Sequence, residues 1–148
     1  MRTFLSKISP WTYTLSAAVF LVGVLVQVFL AGLAVVARRA GWSSHIDLGH
    51  ALGIPLILML LTMVPARLPV GPRRMTVLLF AVYVLQADVV IYLRSSLPAV
   101  AALHPVLALF DFLLAMMLAG QGYRLLSAKT AGESADQSVA GRNLLRGA

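Results

Sequence analysis

The sequence predicts an all-α integral membrane protein, a four-helix bundle with its N and C termini both cytoplasmic. Three observations predict it. The 148 residues are 60% hydrophobic and only 11% charged, with a mean hydropathy of +0.91, a balance that a water-soluble domain of this length cannot sustain. The apolar residues gather into four solid runs, each near the roughly 20 residues that an α-helix needs to cross a bilayer core. None of the runs alternates apolar and polar positions, as the strands of a membrane barrel would.

The first run covers about residues 11–37 and is closed by Arg38 and Arg39. Arg2 and Lys7 precede it, but its apolar core is too long for the h-region of a cleaved leader, so it is read as the first span. The second run, about 45–66, ends in Arg67-Leu-Pro-Val-Gly-Pro-Arg-Arg74, where two prolines and a glycine call for a turn. The third, about 75–93, stops at Arg94-Ser95-Ser96, and the fourth covers about 98–123. Residues 1–126 are therefore expected to form one domain of four transmembrane helices. Residues 127–148, rich in Ala, Ser and Gly, with Lys129, Glu133, Asp136, Arg142 and Arg146 scattered among them, read as a flexible polar cytoplasmic tail.

Charge sets the expected orientation. Arg2, Lys7, Arg67, Arg73, Arg74, Arg124, Lys129, Arg142 and Arg146 fall on one side of the spans, against Arg38, Arg39 and Arg94 on the other. The richer side is cytoplasmic by the positive-inside bias, which suits a multi-pass protein of the cell inner (cytoplasmic) membrane. The net charge of +7 does not point to nucleic acid, because the basic residues close apolar runs instead of lining one polar face. Cysteine is absent, which excludes disulfides, thiolate catalysis and Cys-ligated clusters.

Polar groups inside a bilayer are costly and mark the places to look for function. His45 and His50 lie near the start of the second span and His104 near the start of the fourth, all at the outer end in the expected orientation. His50 and His104 sit at matched depth, about 7 Å inside their helix starts at 1.5 Å per residue. Two imidazoles at one depth on different helices are how membrane cytochromes of the b type hold haem, with His45 as an alternative ligand. Gly49 and Gly53 beside His50 leave room for a flat ring, and Arg38, Arg39 and Arg94 at the same face suit the two propionates. Gln27, Gln86, Asp88 and Asp111 make the bundle interior polar. Asp111, seven residues beyond His104, shares its helix face and is placed to orient a ligand, relay a proton or line a quinone pocket, the alternative being an acid that only ties helices together. Gln86 and Asp88, two apart, point in opposing directions, so one of them alone can face the axis.

The stretch Gln27-Val-Phe-Leu-Ala-Gly32, then Trp42, Asp47-Leu-Gly-His50 and Gly53, then Leu85-Gln86 and Leu103-His104-Pro105 resembles one four-helix half of the haem A synthase family. It is also similar to a small uncharacterised bacterial family of four-helix membrane proteins. The resemblance implies that His50 and His104 are haem ligands and that Asp47 stands where the synthases carry an acidic residue three before the first histidine. The chain departs from that family in its half length, in Asp for the family's Glu, and in lacking the cysteines that many members have near the site.

The leading expectation is a membrane protein that binds haem b between two histidines and transfers electrons, with a quinone or a redox partner protein as its counterpart. It would be a component of a membrane oxidoreductase, and a homo-oligomer is compatible with the sequence. One alternative is a cofactor-free accessory or structural subunit whose polar groups only tie helices together. A third is a small proton-coupled carrier using Asp88 and Asp111, with Asp47 as a further candidate in a proton relay.

Overall fold

In the computed structural model of the chain, the backbone is described for residues 4–38 and 42–146 and side chains for residues 8–38 and 42–132. Every described element is helical, and the elements line up as four rods.

The first rod is α1 (Phe4–Gly32), which runs into a π-helical turn at Leu33–Ala37. It begins earlier than the apolar run and carries Pro10 inside it. It stops where Arg38 turns left-handed, with φ of 51°. The second rod is broken in two, α2 (Trp42–Ala51) and α3 (Gly53–Thr62), with Leu52 between them. Pro55 explains the break, since it has no N–H to bond the carbonyl four residues back and its ring crowds that carbonyl. The Tyr83 hydroxyl, reaching across from the third rod, donates to the Gly49 carbonyl at 2.8 Å beside this break.

The predicted turn after the second rod is a Schellman motif: the Leu68 N–H bonds the Met63 carbonyl and the Arg67 N–H bonds the Val64 carbonyl. Arg67 takes the left-handed position, with φ of 58°, where glycine is usual. The third rod is α4 (Val70–Val84), then a π-helical segment at Leu85–Val90 and a short 3₁₀ turn at Leu93–Ser95. The fourth is α5 (Pro98–Ala101) followed by α6 (His104–Arg146), and Pro105 sits just after the break between them. α6 continues as helix to Arg146, well into the segment that the sequence reads as a flexible tail. That segment holds Ala, Leu, Gln, Glu and Arg, all good helix formers, and no proline.

α1 is the central column and packs on α6, α3 and α2, while α4 packs on α6 and α3. Its inner stripe of Tyr13, Ala17, Phe20 and Val24 is buried against Leu52, Leu56 and Met59 of the second rod and Ala115 and Leu118 of the fourth. That spacing of three and four residues is the signature of a packed helix face. Two glycines let the rods approach. A Cβ on Gly23 would run into the Leu52 side chain, and one on Gly122 would come within 2.6 Å of the Thr14 hydroxyl.

The outside of the bundle is apolar too: Val22, Phe29, Leu61 and Phe110 are all exposed. Helices that are apolar on every face require an apolar surround. Three helical stretches, Ile8–Ala37, Trp42–Thr62 and Pro98–Gly132, are long and apolar enough to cross a membrane. The third rod, which carries Arg73, Arg74, Gln86 and Asp88, is not one of these three.

Candidate functional site

The polar site lies where the second and fourth rods begin. In the second rod the residues His45, Gly49 and Leu52 recur at four- and three-residue spacing, so they share one face, and it is the face turned to α1. Gly49 is so close to Gln27 that a Cβ would stand 2.8 Å from its amide nitrogen, and Leu52 is buried. His50 follows His45 by five residues, which at about 100° per residue turns it well away from that face. It is exposed.

The facing pair is accordingly His45 and His104, whose ring centres are 6.1 Å apart with planes inclined at 65°. The expected meeting of His50 with His104 across the bundle is not what the fold produces. Depth along the helix was matched, but helical phase decides which ring faces inward.

Both rings are held in the same way. Nδ1 of His45 lies 3.1 Å from the Gln27 carbonyl oxygen, and Nδ1 of His104 lies 3.2 Å from the Gln86 carbonyl oxygen. A carbonyl only accepts, so each Nδ1 carries the hydrogen, and in the neutral ring it is Nε2 that holds the lone pair. Fixing one ring nitrogen on a backbone carbonyl is how proteins orient an imidazole whose other nitrogen is to act as a ligand or base. The Trp42 ring stands edge-on to His45, with centres 5.5 Å apart.

The two anchoring carbonyls belong to glutamines that precede their histidines by the same 18 residues. The fold thus uses one device twice, once in each half of the bundle. Sequence reasoning missed this correspondence, although the equal Gln–His spacing was there to be read. The second glutamine sits in the π-helical segment Leu85–Val90, a wider turn often found at functional sites.

Gln86 also reaches the other way. Its amide donates to the Asp111 carboxyl at 2.5 Å, and both side chains are buried, Asp111 completely. Each keeps one buried oxygen without a partner, Oε1 of Gln86 and Oδ1 of Asp111, and Oε1 of Gln27 is in the same position. Asp88 faces outward, as the two-residue spacing from Gln86 requires, and with Arg94 it lines an open depression of about 670 Å³. Asp47 and Arg38 are exposed, and Arg39 lies outside the described residues. Gly53 sits against the Tyr83 hydroxyl, which a Cβ there would meet at 3.2 Å. Among the described residues no three His, Cys, Asp or Glu side chains gather as a metal-binding group, so the chain's own contribution at this site is a pair of imidazoles.

A family of unknown function, DUF6220, has a model that matches residues 27–91. The match begins at the glutamine that anchors His45 and ends just past the π-helical segment, so it takes in His45 and Gln86 and stops short of His104 and Asp111. No curated protein and no solved structure matches the chain.

Proposed function

We propose that the chain is a membrane protein that binds haem b through His45 and His104 and transfers electrons. The observation that carries this reading is the pair itself, two imidazoles on different rods, each anchored at Nδ1 by a backbone carbonyl, with ring centres 6.1 Å apart. Two metal–nitrogen bonds of about 2 Å each, with half an imidazole ring beyond each bond, also put ring centres about 6 Å apart. A porphyrin brings four nitrogens of its own, so the imidazoles of His45 and His104 are all that the chain would have to supply. A site with only two protein ligands suits haem better than an ion such as zinc, which takes three or four.

When bound, haem would supply a one-electron couple, ferric to ferrous. The chain's own residues do the rest. Gln27 and Gln86 fix the tautomer and direction of the two imidazoles, Gly49 lets α1 and α2 close on each other, and Trp42 covers one side of His45. Arg38 and Arg94, near the ends of the first and third rods, are the cations available to propionates. The likeness to one half of haem A synthase implies His50 as the ligand, and the proposed pair departs from it in using His45.

The proposed setting is four spans in the inner membrane with both termini in the cytoplasm, which follows the charge asymmetry of the loops and puts the haem near the outer face. A quinol-type donor or a redox protein would be the electron partner. The test is optical: purified chain expressed with ample haem should give a reducible Soret and α-band spectrum, lost in His45→Ala and in His104→Ala and kept in His50→Ala.

A second reading has its own support. The Gln86–Asp111 and Tyr13–Thr76 hydrogen bonds tie rods together without a cofactor, as in an accessory subunit. In that case the histidine variants only loosen the fold, and no variant changes a visible spectrum.

A further inference from the structure

Gln86 touches two groups at once. Its backbone carbonyl accepts the Nδ1 hydrogen of His104, and its side-chain amide donates to Asp111. The buried acid is therefore two hydrogen bonds from a proposed haem ligand. Asp111 Oδ1 and Gln86 Oε1 are both acceptors, both buried, and neither has a donor. One hydrogen placed on Oδ1 gives the carboxyl the donor that this niche lacks, and it removes a charge from an interior where charge is expensive.

We propose that Asp111 is a proton-binding site coupled through Gln86 to His104, taking up one proton when one electron reduces the haem. This rests on the haem reading above. A one-electron donor would be oxidised as the haem is reduced from ferric to ferrous, and one proton from the aqueous phase would add to the Asp111 carboxylate to form an O–H bond. The physical link is electrostatic. Ferric haem carries a positive charge that favours a carboxylate nearby, and the added electron removes that charge in a medium of low dielectric constant, which favours the neutral acid.

Few other groups compete for the role. α1 brings no titratable side chain except Tyr13 between Ile8 and Ala37, and α3 brings none. α4 brings Tyr83, with Arg73 and Arg74 at its far end, and the π-helical segment brings Asp88, which is exposed. Toward this end of the bundle stand also His104 and His45, both engaged at Nδ1, and Arg38, Asp47, His50, Tyr92 and Arg94, all exposed.

The test is a spectroelectrochemical titration of the haem-loaded full chain between pH 5.5 and 8.5, paired with reduced-minus-oxidised infrared spectra. The midpoint potential should fall as pH rises, by up to about 59 mV for each tenfold drop in proton concentration. A carboxylic-acid band should appear on reduction. In Asp111→Asn, which keeps the shape of the side chain, the potential should become independent of pH and the band should vanish. In Gln86→Leu the His104 anchor survives, because it is backbone, and the dependence on pH should weaken. A haem-loaded wild-type chain with a flat potential and no carboxylic-acid band overturns the coupling and leaves the haem reading standing. A chain that takes up no haem overturns both.

Discussion

The rings of His45 and His104 stand 6.1 Å apart, each with its Nδ1 hydrogen spent on the carbonyl of a glutamine 18 residues earlier in the chain. Nothing local brings these two residues together. They meet because α1 and the π-helical segment of the third rod supply the anchoring carbonyls, and because the second and fourth rods begin at the same end of the bundle.

The anchors should be testable apart from the ligands. The carbonyls cannot be mutated, but the glycine that lets α1 approach α2 can. In Gly49→Val a side chain must displace the Gln27 amide, which a Cβ would meet at 2.8 Å. The expected result is a haem spectrum weakened or shifted while the protein remains folded. Gly132→Val, at a glycine with open space around it, should leave the spectrum alone.

Packing at the opposite end of α1 depends on Gly122. A Cβ there would lie 2.6 Å from the Thr14 hydroxyl and 3.3 Å from the Thr14 Cα, so the backbone as well as the side chain must give way. Gly122→Ala should destabilise the bundle by about 1–3 kcal/mol, the usual cost of overpacking. Adding Thr14→Ala removes the hydroxyl and not the backbone, so it should recover only part of the loss in an SDS-unfolding titration.

Tyr13 and Thr76 form a buried hydrogen bond of 2.7 Å between α1 and α4. Thr76 gives its own hydrogen to the Pro72 carbonyl, so Tyr13 is the donor between them. Tyr13→Phe, Thr76→Val and the double variant should show a coupling energy of about 0.6 kcal/mol, and at most about 1.7, typical of such bonds between membrane helices. Zero coupling in the same unfolding assay would remove this bond from the account.

The turn after the second rod holds Arg67 at φ of 58°. A left-handed conformation costs a non-glycine residue about 1–2 kcal/mol, part of which glycine would lose again to its greater freedom in the unfolded chain. Arg67→Gly should therefore stabilise the bundle by about 0.5–1 kcal/mol. A drop in stability would mean that the arginine side chain contributes more than its backbone strain costs.

Much of this architecture is legible in the sequence, and for identifiable reasons. The runs around Trp11, His45 and Pro98 are apolar enough to be read as helices from composition, and Arg67 to Arg74 announces its turn through two prolines and a glycine. The opposed directions of Gln86 and Asp88 follow from helix geometry alone. The site is harder, because the sequence points to His50 through its depth from a helix start at residue 45, whereas α2 begins at Trp42. The break at Leu52 and the burial of Leu52 against Gly23 set the phase of α2, and that phase turns His45 inward and His50 outward. Such a phase depends on packing between rods distant in sequence, which a span-by-span reading does not contain. The Gln86–Asp111 bond is of the same kind: both residues were recognised as polar groups within spans, but their meeting depends on how the third and fourth rods pack.

The central claim is tested most directly by the reduced-minus-oxidised absorbance spectrum of the purified full chain, expressed with ample haem, beside the variants His45→Ala, His104→Ala and His50→Ala. The account predicts b-type Soret and α bands in the wild type and in His50→Ala, and their loss in the other two. A wild-type chain without those bands, or bands that survive in His45→Ala and disappear in His50→Ala, would contradict it.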